Sequence, residues 1–166
     1  MGRRKREKNR EEEVVERELV VIDIGRHEYV ASVNLNPTLT LRDEARAAVD
    51  VEMDLVVWFG SEAHSAVSRD PREHLAIWPF EKPLECNYYH LVEAFYLMFK
   101  RIPLQNRSIS PTVAFVYTEK FSNEEMRIMR SAVMDAGFNA VGSVSISDDE
   151  KKRIFGENGI TDDSRG

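Results

Sequence analysis

A strand–turn–strand segment between Leu19 and Val33 constrains the fold of this chain more than any other feature. The run from Leu19 to Ile22 is continuously aliphatic, which is typical of a strand buried on both faces. Asp23 and Gly25 interrupt the apolar pattern, and residues 27 to 33 have the pattern of a returning strand. A carboxylate at a strand end, beside a turn that glycine permits, is suited to holding a metal–phosphate group. The segment therefore predicts a β-hairpin, with Asp23 and Gly25 as candidate cofactor-binding residues.

Composition narrows the class of protein. A length of 166 residues suits one domain with a hydrophobic core, and 42% hydrophobic with 31% charged residues favours a soluble globular chain. Cys86 is the only cysteine, which excludes an internal disulfide and favours a reducing compartment. There is no apolar run of the roughly 20 residues that a membrane span needs, and no secretory signal. The net charge of -6 argues against nucleic acid as the main partner. We therefore expect a cytoplasmic protein.

Charge divides the chain into a central domain and two tails. Residues 1 to 17 carry basic residues first and glutamates afterwards, with almost no apolar face, so a frayed tail is predicted there. Weak contact of its basic half with an acidic membrane surface stays an open alternative, because the adjoining glutamates offset the attraction. We predict one domain over residues 18 to 147 and a charged C-terminal tail over 148 to 166, with a short helix near Phe155.

The first half of the domain predicts short elements. Residues 38 to 41 alternate as a strand, residues 55 to 59 form an apolar strand, and Ser61 is placed to cap a short helix. The polar, alanine-rich residues 42 to 50 predict a loop or a single short helix. We group residues 35 to 83 into a small satellite subdomain.

The second half has a clearer periodicity. Apolar residues recur at helical spacing from Tyr88 to Phe99, and residues 112 to 117 predict a strand. Ser122 and Glu125 form a capping box before a second helix, and residues 140 to 144 predict a last strand. The order of all elements predicts an α/β fold, with one mixed β-sheet flanked by helices.

The order of these segments resembles that of a known protein family. Over residues 18 to 145, it resembles the first half of the actin-like ATPase superfamily, and within that superfamily the MreB-like bacterial actins. Residues 21 to 25 resemble the first phosphate-binding hairpin of that family, and residues 59 to 63 its Val-Gly-Glu-Glu-Ala turn. Residues 77 to 80 resemble its Ile-Arg-Pro-Leu segment, and residues 111 to 137 its strand, capped helix and Ala-Gly exit. The resemblance implies an actin-like, ribonuclease-H-like half.

Three departures from the family pattern bear on activity. The family has a small, hydroxyl-rich turn after its Asp-x-Gly, whereas this chain has large side chains from Arg26 to Tyr29, and Glu28 would repel phosphate. The Glu-Glu-Pro segment that orients the attacking water in the family has no counterpart in residues 144 to 149. The second phosphate hairpin and the adenosine pocket belong to the second half of the family fold, which these 166 residues do not contain.

Together, the resemblance and its departures imply a shortened MreB-like protein without ATPase activity. We expect no catalytic residue and no metal site, and we expect Asp23 and Gly25 to be a vestigial phosphate hairpin that holds no cofactor. The expected role is protein–protein interaction in cell shape or cytoskeletal organisation, with a full-length actin homologue or a second copy of the chain as the partner.

Two alternatives stay open. The chain could bind ATP and magnesium weakly, as a switch completed by a partner chain. It could also be a ribonuclease-H-like nuclease, but that chemistry needs carboxylates on neighbouring strands to hold two metal ions. The predicted strands at 112 to 117 and 140 to 144 contain none. The remaining histidines do not have the spacing of metal ligands, and Arg26 and His27, in an exposed turn, are expected to face solvent.

Overall fold

The main sheet of the domain has five strands in the order β3-β2-β1-β7-β8. The structure is a computed structural model, and it describes residues 17 to 156. The strands of this sheet are β1 (Leu19–Ile24), β2 (Glu28–Val33), β3 (Asn36–Glu44), β7 (Thr112–Val116) and β8 (Asn139–Val144). Strands β1, β2 and β3 are antiparallel neighbours, whereas β7 runs parallel to both β1 and β8. The predicted mixed α/β sheet is therefore confirmed.

The aliphatic run of β1 occupies the centre of this sheet. Its residues alternate between the two faces, so Val20 and Ile22 belong to the large core and Val21 to a smaller cluster on the opposite face. Helices α2 (Tyr88–Arg101) and α3 (Asn123–Asp135) contribute to the large core. Because both faces are covered, the strand needs apolar residues at consecutive positions.

Helix α3 has the ends that its sequence predicts. The Ser122 side chain accepts a hydrogen bond from the backbone N–H of Glu125, and the Glu125 carboxylate accepts one from the backbone N–H of Ser122. Gly137 has a φ of 103°, and its N–H and that of Phe138 donate to carbonyls of the last helical turn. This is a Schellman motif, in which glycine avoids the steric cost of a positive φ.

The satellite is a three-stranded sheet in the order β5-β4-β6, with helix α1 (Ser61–Arg69) beside it. Its strands are β4 (Ala47–Asp50), β5 (Leu55–Phe59) and β6 (His74–Ile77). The boundary predicted at residue 35 differs from the structure, because β3 pairs with β2 in the main sheet. The satellite therefore begins after Glu44.

Two local predictions in this region were wrong. Residues 42 to 50 form the end of β3 and all of β4, because the small side chains of Ala47 and Ala48 pack on the two faces of the satellite sheet. Their helix propensity is overridden by this packing. Ser61 is not the cap of α1, which is Gly60 with a φ of 88°. The first N–H of the helix instead donates to a carboxylate oxygen of Asp43, 3.0 Å away.

A fourth helix, α4 (Asp148–Phe155), covers the second face of the main sheet. Its Ile154 and Phe155 are buried against Val21, Val30 and Val116. The predicted short helix near Phe155 is present, but residues 148 to 155 are packed against the domain rather than being part of a tail.

The charged tails lie largely beyond the part of the chain that the structure describes. Residues 1 to 16 and 157 to 166 are outside the described residues, and the tail and membrane-contact predictions for them stay predictions. Between residues 17 and 156, no helix has the length and apolar character that a membrane crossing needs.

Candidate functional site

The hairpin between β1 and β2 positions the predicted phosphate-binding residues. Asp23 lies opposite Val30 in the register of the two strands, and the Gly25 N–H donates to the Glu28 carbonyl across the turn, 2.8 Å away. Gly25 is not among the described glycines with a positive φ, so its backbone conformation does not itself require glycine. Asp23 is the second-last residue of β1 and Gly25 directly follows the strand, as predicted from the sequence.

The carboxylate of Asp23 is buried and lies close to a cation of the protein itself. The Lys151 Nζ, on α4, is 3.6 Å from Asp23 Oδ2. Only 6% of the Asp23 side chain and 17% of the Lys151 side chain are exposed. Burial of a carboxylate destabilises a fold unless the charge is paired, and this ion pair offsets part of that cost. Sequence reasoning missed Lys151, because nothing in its local sequence distinguishes it from Lys152.

Arg26 binds the protein rather than solvent. Its guanidinium donates to the Glu81 carbonyl at 2.8 Å, to Glu125 Oε2 at 3.0 Å, and to the Lys120 carbonyl. It also lies over the ring of Phe121, 4.3 Å from the centroid. The expectation that Arg26 faces solvent was therefore wrong, because the planar guanidinium offers several donors that can reach separate acceptors at once.

The next two side chains of the turn, His27 and Glu28, also have partners within the chain. His27 Nε2 is 3.0 Å from a carboxylate oxygen of Glu81, although more than half of the His27 side chain is exposed. The Glu28 carboxylate accepts from Arg42 on β3, 2.9 Å away. The charged groups of the turn are thus engaged with neighbouring elements.

Glu125 joins the hairpin to α3, and its pKa reflects this position. Burial acts to raise the pKa of Glu125, but the hydrogen bonds from the Ser122 backbone N–H and the Arg26 guanidinium outweigh burial. The net result is a pKa below its usual value. The carboxylate is therefore held in its charged form.

A second ionic cluster, not anticipated from the sequence, joins the main sheet to the satellite. Asp43 Oδ2 is 2.7 Å from Arg101 Nη1 at the end of α2, and a Cβ at Gly60 would collide with both groups. The pKa of the nearby Tyr29 hydroxyl is raised, chiefly by burial and then by the Asp43 carboxylate. These residues are far apart in sequence and belong to different elements, so no local pattern could have identified them.

The described residues do not fit a metal–nucleotide group at the hairpin. Hydrolysis of a nucleotide requires phosphates clamped by donors, a metal ion and an oriented water. Here Asp23 Oδ2 is buried beside Lys151, and Arg26 and Glu28 are bound to other protein groups. No cluster of three or more metal-ligating side chains occurs between residues 17 and 156. Strands β7 and β8 carry no carboxylate, so the geometry of a two-metal nuclease is not formed on them either.

Comparisons with known proteins identify the fold. No protein-family model matches the chain, and no curated protein matches it. Among solved structures, MreB5 of Spiroplasma citri bound to AMPPNP matches with a TM-score of 0.60 at 12% identity, over 78% of this chain and 39% of that one. The same protein bound to ADP matches with a TM-score of 0.60 at 11% identity, over 79% and 38%.

A third structure belongs to a different protein. A non-polymerising MamK mutant bound to AMPPNP matches with a TM-score of 0.52 at 9% identity, over 78% of this chain and 41% of that one. The chain thus spans about two-fifths of the length of the structures it resembles. Likeness at such low identity is evidence of fold alone. The domain of this protein has an actin-like fold.

Proposed function

We propose that this protein is an MreB-like actin relative that acts through protein–protein contact in cell shape or cytoskeletal organisation, and that it does not hydrolyse ATP. The observation that carries the proposal is the hairpin, where Asp23 is paired with Lys151 and Arg26 with Glu125. Groups already bound to one another are not available to a phosphate or a metal ion. We further propose a cytoplasmic location, on the basis of the single cysteine, Cys86.

The proposed role in protein contact is supported by large apolar side chains that are exposed in the satellite and at the start of α2. Val51, Met53, Leu75 and Tyr89 are 59%, 62%, 59% and 73% exposed. Their segments are joined, because the Val51 N–H donates to the Glu73 carbonyl, two residues before Leu75, and Asp54, next to Met53, contacts His90, next to Tyr89. Large apolar side chains gathered on a surface favour contact with another protein.

The absence of ATP hydrolysis is tested by measuring phosphate release from the purified chain with ATP and magnesium. We expect the rate of the wild-type protein to equal that of Asp23→Ala and of the buffer. A rate above the buffer that Asp23→Ala abolishes would overturn this part of the proposal.

The contact role is tested by co-sedimentation with filaments of a purified full-length actin homologue from the same cell, and by sedimentation equilibrium of the chain alone. We expect either co-sedimentation or self-association, and we expect Met53→Asp with Leu75→Asp to weaken it. The matched control is Arg127→Asp, on an exposed part of α3. Absence of both forms of association at micromolar concentrations would contradict the proposed surface. Equal loss of association in the Arg127→Asp control would also contradict it.

A weak nucleotide-dependent switch is the second candidate. It is favoured by the nucleotides bound in the MreB5 structures, which have the same fold over 78% and 79% of this chain. Calorimetry with millimolar ATP and magnesium, with and without the actin homologue, distinguishes the two. Heat of binding that depends on Asp23 would favour the switch.

A further inference from the structure

The position of Lys151 is set by the packing of α4. Lys151, Ile154 and Phe155 are spaced to share one face of the helix, whereas Lys152 and Arg153 are exposed. Ile154 and Phe155 are buried against Val21 and Val30.

Those two valines flank Asp23 on the sheet. Val21 lies two residues before Asp23 and on the same face of β1. Val30 is the residue of β2 that lies opposite Asp23. Burial of Ile154 and Phe155 therefore fixes the backbone of α4 where the Lys151 stem reaches Asp23. The ion pair is a consequence of the packing of the helix, not of a freely moving surface lysine.

We propose that Lys151 is a built-in counter-cation for Asp23. The ammonium group takes the position beside this carboxylate that a metal ion would need, and α4 thereby closes the hairpin to a metal–phosphate group. The inference deepens the proposed function and rests on it, because it names the group that keeps the same site from binding a nucleotide.

The chemistry of the two cations supports this assignment. Magnesium binds hard oxygen ligands, with carboxylates supplying much of the attraction. A single carboxylate that is already neutralised by an ammonium group 3.6 Å away attracts a second cation weakly. A tethered ammonium also loses no translational freedom when it pairs, whereas a metal ion taken from solution does.

A double-mutant cycle tests the pairing. The variants are Lys151→Met, Asp23→Asn and the double variant, with Lys152→Met as the matched control on the exposed side of α4. We expect Lys151→Met to lower Tm by about 5 °C, because it removes the ammonium group beside a buried carboxylate. The double variant should lose less than the sum of the two single losses. Additive losses, or a Lys151→Met loss no larger than that of Lys152→Met, would overturn the inference.

Manganese ion alone is the probe for the cation position, since its paramagnetism broadens nearby amide NMR signals even when it binds weakly. We expect Mn²⁺ to broaden the signals of residues 23 to 25 in Lys151→Met, but not in the wild type or in Lys152→Met. The double variant Asp23→Asn/Lys151→Met should also be unaffected. Broadening in the wild type that Asp23→Asn removes, or no broadening in Lys151→Met, would overturn the inference.

The two proposals fail in different ways. ATP hydrolysis by the wild-type protein contradicts the proposed function. Additive losses in the cycle, in a protein that does not hydrolyse ATP, contradict only the role of Lys151.

Discussion

At the residue scale, the β1–β2 turn uses its charged side chains for attachment. Arg26 binds acceptors on two segments, residues 80 to 81 and 120 to 125, and Glu28 binds Arg42 on the neighbouring strand. Large side chains here make the turn a point where elements are joined, and this use competes with close approach of a ligand.

Replacement of Gly60 should be costly both for its backbone conformation and for its close neighbours. It has a φ of 88°, and a Cβ would collide with the Asp43 carboxylate and the Arg101 guanidinium. We expect Gly60→Ala to lower the free energy of unfolding by about 2–4 kcal/mol, from backbone strain plus steric overlap. The measurement is urea denaturation followed by circular dichroism.

Gly137→Ala is the control, because it introduces backbone strain without a steric collision of the added Cβ. Gly137 also has a positive φ, but a Cβ there would meet nothing within 4 Å. We expect a loss of only about 1 kcal/mol at this position. Equal losses at the two glycines would contradict the close packing described around Gly60.

Glu125 should make the stability of the protein depend on pH in the acid range. Its folded-state pKa lies below its usual value of 4.5, so its contribution is complete above that pH and is lost as pH falls through the lowered pKa. We expect Glu125→Gln to lower the free energy of unfolding at pH 7 by about 1 kcal/mol, with a smaller difference from wild type at pH 3. Urea denaturation at both pH values measures this. A difference that grows toward low pH would contradict the assignment.

At the scale of elements, the sequence predicted those helices and strands that have both a periodic pattern of apolar residues and residues that mark their ends. Helix α3 has a capping box at Ser122 and a glycine stop at Gly137, and both function as predicted. The alanines of β4 lack such markers, and their strand conformation depends on pairing with β5 and β6. Asp23 and Gly25 could be located from the sequence. Lys151 could not, because it reaches Asp23 only through the packing of α4.

Substitutions in α4 test whether residues 148 to 155 are packed as part of the domain. Phe155 is fully buried, so we expect Phe155→Ala to lower the free energy of unfolding by about 3 kcal/mol. Arg153→Ala, at an exposed position of the same helix, should change it by no more than about 0.5 kcal/mol. Thermal and urea unfolding measure both. If Phe155→Ala were as mild as Arg153→Ala, the packing of α4 on the sheet would be contradicted.

At the scale of the whole molecule, two ionic clusters connect the main sheet to the rest of the chain. Arg26 joins the hairpin to residues 80 and 81 and to the start of α3, whereas Asp43 and Arg101 join β3 to α2 beside the satellite. The mixed α/β sheet could be predicted from the order of the elements, and the actin-like fold from the resemblance of the segments to a known family. The clusters could not, because each brings together residues that are remote in sequence.

Loss of the Arg26 cluster should loosen several segments at once. We expect Arg26→Ala to lower the free energy of unfolding by about 2–3 kcal/mol, since it leaves the partly buried Glu125 carboxylate without its cation. Hydrogen exchange should become faster in residues 80 to 85 and 120 to 125 together. Arg127→Ala removes an exposed pair within α3 and should change stability by no more than about 0.5 kcal/mol. Faster exchange in only one of the two segments would contradict a shared attachment.

The parallel pairing of β1 with β7 also has a consequence for how the protein folds. Leu19 pairs with Thr112, so the whole satellite and α2 lie between two strands that must meet. Contacts this distant in sequence slow folding, because the entropy of closing the intervening loop is lost before the contacts form. During synthesis, the β1–β2–β3 meander can form early, but one edge of β1 stays open until β7 has left the ribosome. The hydrophobic strand at the centre of the mature sheet is thus an aggregation-prone edge in the nascent chain.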